Sequence, residues 1–190
     1  MKYLFFLGEF GTGKNFLTNK LVEMYPKYFE ESVQVTTRPL RTSEIEKGGC
    51  VHLSHEQFKT SIIENRLSNY EFFERTGNYY GNLKTFENKE KINIINGDPE
   101  RCASLKKNLS SEDSLFVVFL NADDVLRVVR YLKRDRNADL DEILNRHFDE
   151  HYKTRCSNLG IDPDLFYDNG YKKDPSDLFD TILKKFDITV

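Results

Sequence analysis

Tyr3-Leu4-Phe5-Phe6-Leu7-Gly8-Glu9-Phe10-Gly11-Thr12-Gly13-Lys14-Asn15 is the stretch on which the reading of this chain turns. A short apolar run leads into three glycines and a lysine, and Phe16, Leu17, Leu21 and Val22 then recur at helical spacing. Glycines at such a strand-to-helix junction let backbone N–H groups converge on an anion. The helix N-terminus adds its partial positive charge, and Lys14 a mobile full one. The stretch therefore reads as a phosphate-binding loop formed by Gly8, Gly11, Thr12, Gly13 and Lys14. It departs from G-x-x-x-x-G-K-[ST] only at its last position, where Asn15 stands in place of a hydroxyl that helps hold Mg²⁺. Either the Asn15 amide oxygen ligates the ion or a water takes that place.

Composition sets the outer bounds. A chain of 190 residues, 38% apolar and 31% charged, suits one globular domain with a substantial core. A net charge of −3 argues against a nucleic-acid footprint across the surface. Cys50, Cys102 and Cys156 are odd in number and far apart, with no C-x-x-C spacing, and neither a cleavable leader nor a long apolar span is seen. A cytoplasmic protein without membrane or nucleic-acid partners is the expectation, as a monomer or homodimer.

Strand-like and helix-like runs alternate along most of the chain. Lys2–Leu7, Lys91–Ile95, Leu115–Leu120 and Leu165–Tyr167 read as buried strands, with Val33–Val35 as a further candidate. Phe16–Met24, Pro99–Leu109, Ala122–Lys133, Leu140–Leu159 and Asp177–Phe186 read as helices. That order predicts an α/β three-layer sandwich around a parallel sheet, with ligands at the carboxyl ends of its strands.

Residues 36–85 interrupt the alternation. Short runs at Val51–Leu53 and Leu67–Phe73 surround one helix, opened by Ser54 with Gln57 three residues on as a capping box. This predicts an inserted α+β unit, leaving 1–35 and 86–190 as the core. A polar stretch, Arg134-Asp135-Arg136-Asn137-Ala138-Asp139, has the composition of a helical lid over about residues 134–146. In the insertion, Thr36-Thr37-Arg38-Pro39-Leu40-Arg41 sets two guanidinium groups three residues apart on a proline-stiffened segment, each able to clamp phosphate oxygens. Glu71 and then Gly77-Asn78-Tyr79-Tyr80-Gly81-Asn82 add a carboxylate, a phenol and a close-approach glycine. A carboxylate accepts both N–H groups on the Watson–Crick edge of guanine, and adenine offers no matching pair of donors.

With these motifs the chain resembles the guanylate kinase family, P-loop enzymes that move a phosphoryl group from ATP to GMP. The resemblance rests on Gly8–Lys14, on T-T-R-x-x-R at Thr36–Arg41, and on Glu71 followed by Gly77–Gly81. It implies an NMP-binding insertion and a lid, with ATP and GMP or dGMP as substrates and Mg²⁺ accompanying ATP. It places Arg38, Arg41 and Tyr80 on the GMP phosphate and Glu71 on the base, with Lys14, Arg41, Arg136 and Arg146 meeting the transferring charge. Arg134 competes with Arg136 for one lid position. Asn169 corresponds to an asparagine near the adenine of ATP, or is a turn residue.

Several residues depart from the family pattern. Cys50 stands for a phosphate-contacting tyrosine, Gln34 for a base-contacting serine, and Asn82 for a serine or threonine; both amides can still hydrogen-bond a purine. Asn96-Gly97-Asp98 replaces D-x-D. Asp98 then serves either as the second carboxylate, touching the base or the metal's water shell, or as the N-cap of a helix with Pro99 at its first position. A catalytically weakened domain of the same family, binding nucleotide or phosphopeptide, is the alternative expectation.

Overall fold

The computed structural model describes residues 1–40, 42–74, 76–134 and 152–189. Two sheets organise them. The first contains β1 (Lys2–Leu7), β2 (Phe29–Glu31), β7 (Ile92–Gly97), β8 (Ser114–Asn121) and β9 (Leu165–Asp168), in the order β2-β7-β1-β8-β9. Every pairing in it is parallel. Parallel strands need both faces covered, and β1 shows how the sequence meets that requirement. Leu4 and Phe6 pack with Leu17 and Leu21 of α1 (Lys14–Met24) and with Leu178, Phe179, Ile182 and Leu183 of the C-terminal helix α7 (Ser176–Lys185). Tyr3, Phe5 and Leu7 face the other way. They meet Cys102, Ala103 and Leu105 of α4 (Pro99–Asn108) and Tyr152 and Cys156 of α6 (Tyr152–Asn158).

The second sheet holds β3 (Gln34–Thr36), β4 (Cys50–His52), β5 (Leu67–Phe73) and β6 (Asn78–Leu83), ordered β4-β3-β6-β5. β6 is antiparallel to both its neighbours, while β3 and β4 run parallel. α2 (Thr42–Lys47) lies between β3 and β4 in the chain, and α3 (His55–Ile63) follows β4. The α3 start carries the expected capping box: Ser54 Oγ accepts from Gln57 N at 3.1 Å, and Gln57 Oε1 accepts from Ser54 N at 2.8 Å. α3 lays Phe58 on Val35, Leu67 and Tyr79, closing a small apolar core on one face of the sheet. Gly81 permits this approach, since a Cβ there would come within 2.6 Å of Asn69 O and 3.2 Å of Phe58.

The α/β architecture with its parallel sheet is as expected, and three local readings are corrected. The Val33–Val35 candidate is β3 of the second sheet, one residue further on; a strand with one face on α3 and the other polar has no place in a doubly covered sheet. β2 joins the parallel sheet at its edge although Phe29-Glu30-Glu31 has no apolar run, because only Phe29 is buried. Among the described residues of 36–85 there are two α-helices, α2 as well as α3, where one is expected. The expected lid from residue 135 on, with Arg136 and Arg146, and residues 140–151 of the expected helix Leu140–Leu159 fall outside the described residues; Arg134 ends α5 (Asp124–Arg134).

Candidate functional site

The glycine loop leaves the carboxyl end of β1 and enters α1 at Lys14. Gly13, the N-cap, has φ 97° and ψ 19°, a left-handed conformation that costs a residue with a Cβ about 1–2 kcal/mol. A Cβ there would also come within 2.3 Å of Asn169 Nδ2. The Lys14 ammonium donates to Gly8 O, and to Glu9 O at 3.0 Å, so it lies across the mouth of the loop. Thr12 is buried and its Oγ1 donates to Glu9 O at 2.8 Å, making it a brace of the loop. The Gly8 N–H donates to Tyr152 Oη at 3.0 Å. Asn15, exposed in the first turn of α1, is the oxygen-bearing side chain next to the lysine.

Two arginines on one face of α5 support this loop from outside. Arg127 is 4% exposed; its Nε donates to Phe10 O at 2.8 Å and its Nη2 lies 2.6 Å from Glu9 Oε2. Arg130 donates from Nη1 to Gly11 O and Thr12 O, both at 3.3 Å, and from Nη2 to Asn169 O at 2.9 Å. Asn169, buried, completes the frame by donating from Nδ2 to Thr12 O at 2.8 Å. Sequence reading missed both arginines. Their three-residue spacing on an amphipathic helix was the available signal, and it is the same signal that surface arginines give.

The second sheet gathers the other candidates by register. Gln34 pairs with Asn82 and with Cys50, and Asn69 pairs with Asn82, so these four form one cross-strand row. Glu71 pairs with Tyr80, and Tyr80 with Thr36, forming the next. A bulge between Leu67 and Asn69 makes this possible: it leaves Leu67 in the apolar core under α3 and brings Asn69 to the polar face. The sheet thus has an oily side and a polar side, and the polar side meets α4.

Arg38 extends from the end of β3. Its guanidinium grips Glu44 of α2 in a two-bond pair, Nη1 to Oε2 at 2.8 Å and Nη2 to Oε1 at 2.5 Å. Burial alone would lower the Arg38 pKa, but Glu44 more than offsets it and the net direction is upward. Tyr80 is among the groups near enough to Arg38 to act on its guanidinium. Arg41 falls outside the described residues.

Behind Glu71 the site becomes a buried polar layer. Asn82, 1% exposed, donates from Nδ2 to Ser32 O at 3.2 Å and Val33 O at 2.9 Å, and accepts at Oδ1 from Asn69 Nδ2 and Arg101 Nη2. Both of its donors and both of its lone pairs are engaged within the protein. Asp98 occupies the N-cap position of α4 with Pro99 next, yet its carboxylate makes no capping bond. Instead it raises the pKa of Glu71, which burial and then Asp98 push to about 8. The Gln34 side chain is half-buried in the row beside Asn82. Among the described residues no cluster of three or more His, Cys, Asp or Glu side chains could hold a metal ion. Burial lifts the Cys102 and Cys156 thiols to about 12 and 11, well away from thiolate chemistry at neutral pH.

This arrangement has known relatives. The sequence model for the family described as guanylate kinase matches residues 1–161. Guanylate kinase of Chlorobium luteolum is 32% identical over 138 residues, covering 70% of this chain and 67% of that protein. Protein lin-2 of Caenorhabditis elegans is 27% identical over 146 residues; the match covers 76% of this chain but only 14% of the length of lin-2. The crystal structure of guanylate kinase from Anaplasma phagocytophilum superposes with a TM-score of 0.61 at 16% identity, over 98% of this chain and 84% of that one. Together with the glycine loop at the end of β1 and the polar face built from β3, β5 and β6, these likenesses show that the chain belongs to the guanylate kinase family.

Proposed function

We propose that the protein transfers a phosphoryl group from ATP to GMP or dGMP. The observation that carries this reading is the pairing of Glu71 with Tyr80 on the polar face of the second sheet, with Arg38 beside Tyr80 and Asp98 beside Glu71. In this reading a phosphate clamp and a base-reading carboxylate would share one face, and Tyr152, whose hydroxyl is influenced by Asp98, would link that region to the glycine loop. Its hydroxyl holds Gly8 N while its own pKa is raised by burial and by Asp98.

In this reading the loop N–H groups and Lys14 hold the ATP phosphates, and Arg38, Arg41 and Tyr80 aim the acceptor phosphate. Lys14, Arg41, Arg136 and Arg146 offset charge on the transferring group. Catalysis is then positioning and electrostatics, with no covalent intermediate on the protein. Asn169, framed between Thr12 O and Arg130, sits at the edge of the loop where the adenine end of ATP would approach. Mg²⁺ takes few protein ligands when phosphates supply the rest, and the exposed Asn15 amide is a suitable hard-oxygen donor for it. Bound with ATP, the ion would draw charge from the β- and γ-phosphates.

Gln34 and Asp98 border the base in this scheme, while Asn82 acts through the groups it holds. The protein is expected to work in the cytoplasm as a monomer or homodimer. ADP release measured with ATP, Mg²⁺ and each nucleoside monophosphate in turn tests the reading. Turnover with GMP or dGMP above all others is expected, and turnover with none, or a preference for AMP or a pyrimidine nucleotide, overturns it. A second reading, a family member that binds nucleotide or phosphopeptide with weakened catalysis, is favoured by Asn82, whose engagement within the protein leaves it no bond for a base.

A further inference from the structure

The polar layer between the second sheet and α4 contains a cation to which the scheme above gives no task. Arg101, in the first turn of α4, is 3% exposed. Its Nε donates to Asn69 Oδ1 at 2.9 Å, its Nη2 to Asn82 Oδ1 at 2.5 Å and its Nη1 to Asn96 O at 3.0 Å. All three acceptors are neutral. Among the described residues no carboxylate oxygen lies within 4.0 Å of this guanidinium. Removing such a group from water without a paired anion costs several kcal/mol, so its position calls for a reason.

Donor counting supplies one. Arginine has five N–H groups, and three are engaged. One N–H on each terminal nitrogen has no acceptor among the described residues. The guanidinium is anchored under the row containing Asn69 and Asn82, and Glu71 stands two residues along β5 from Asn69, about 7 Å on at strand spacing. Glu71 and Asp98 are the carboxylates whose charges act on Arg101, and Arg101 in turn favours ionised Glu71.

A carboxylate reading N1–H and the 2-amino group of guanine leaves the neighbouring O6 in need of a donor. We propose that Arg101 is a specificity-determining residue of the acceptor site, donating its remaining N–H groups to the C6 oxygen of a 6-oxopurine whose N1–H is read by Glu71. Adenine would turn a C6 amino group toward a buried cation and is rejected by donor facing donor. The role of Asn69 and Asn82 is to hold the guanidinium in place. This inference rests on the kinase reading and deepens it.

The test compares kcat/KM for GMP, IMP and 6-thio-GMP in the full chain. 6-Thio-GMP keeps both donors for Glu71 and exchanges only the C6 acceptor for a weaker one; IMP keeps the C6 oxygen and loses the 2-amino group. A hydrogen bond from a charged donor is worth about 1.5–3 kcal/mol, so the parent should prefer GMP over 6-thio-GMP by roughly 10- to 150-fold. Arg101→Gln should reduce that preference to within about threefold, with a smaller change in the GMP/IMP ratio. Arg101→Lys, which keeps the charge, should retain part of the preference and covers the case in which the glutamine variant fails to fold. A parent that uses 6-thio-GMP as well as GMP, or variants that lose stability with the ratio unchanged, overturns the assignment of Arg101 while leaving the kinase reading in place. Failure of every monophosphate to react overturns both.

Discussion

The hydroxyl of Tyr152 accepts a hydrogen bond from the backbone N–H of Gly8, so the first residue of α6 is fastened to the first glycine of the phosphate loop, 144 positions earlier in the chain. Tyr152 is buried among Phe119 and its neighbours, and its ring meets Phe119 edge-on with centroids 6.1 Å apart. The loop is therefore held from the C-terminal part of the chain as well as by its own strand and helix.

Tyr152→Phe should leave the ring packing unchanged and deprive Gly8 N–H of its acceptor. A buried donor left unsatisfied costs about 1–3 kcal/mol, so denaturant unfolding should show a lower midpoint with an unchanged slope. Because the orphaned group lies in the phosphate loop, the KM for ATP should rise more than that for the acceptor.

Lys14→Met should lower kcat by on the order of 10²–10³ and leave GMP affinity close to that of the parent, since the ammonium meets transferring charge. Rapid-quench turnover and equilibrium binding measured on the same preparation separate the two effects. Parent-like turnover would remove Gly8–Lys14 from catalysis.

Arg38→Ala and Arg41→Ala should each raise the acceptor KM and lower kcat, because a forked clamp both binds and aims the acceptor phosphate. Arg38 must also exchange Glu44 for that phosphate, so Glu44→Gln should lower the acceptor KM in steady-state assays. Unaltered kinetics in both arginine variants would return the segment to the surface.

Glu71 gives the protein a distinctive pH response. Its pKa is raised from 4.5 to about 8 by burial and by Asp98, with Glu100 acting in the same direction and Arg101 and Arg155 against it. Between those values the native state binds more protons than the unfolded one. Stability from this group is present below pH 4.5 and lost as pH rises towards 8, with a slope of at most ~1.4 kcal/mol per pH unit. Urea melts of the parent against Glu71→Gln should differ by that slope, the parent losing more stability as pH rises. GMP binding through ionised Glu71 should release a proton near neutral pH, visible in titration calorimetry as a buffer-dependent heat that the variant lacks. The same substitution should reduce GMP turnover selectively, with AMP turnover unchanged or raised.

How much of this was legible in the chain depended on whether the signal was local. The glycine loop, the strands Lys2–Leu7 and Leu67–Phe73, and the Ser54–Gln57 box depend on neighbours within a turn or two, and all could be read directly. β2 and β6 carry few consecutive apolar residues because each has a polar or exposed side, so their partners across the sheet define them. Arg101, Arg127 and Arg130 were hidden for a related reason. An arginine in a helix is ordinarily solvated, and only the distant Asn69 and Asn82, or the loop carbonyls of Phe10, Gly11 and Thr12, show otherwise. Asn82 reads from the sequence as a purine-binding amide; its commitment to Ser32 and Val33 follows from the packing of two sheets and has no local signal.

The saturation of Asn82 makes it half of a heritable unit. Aspartate there would turn an acceptor toward the carbonyls of Ser32 and Val33, and serine would be too short to reach Arg101, so no single replacement serves all four of its bonds. Drift at position 82 therefore takes one of three acceptors from the guanidinium at 101, and drift at 101 takes one of two donors from the amide oxygen. Descendants of this sequence should keep both residues or exchange both, and the pair would travel through a lineage as one character.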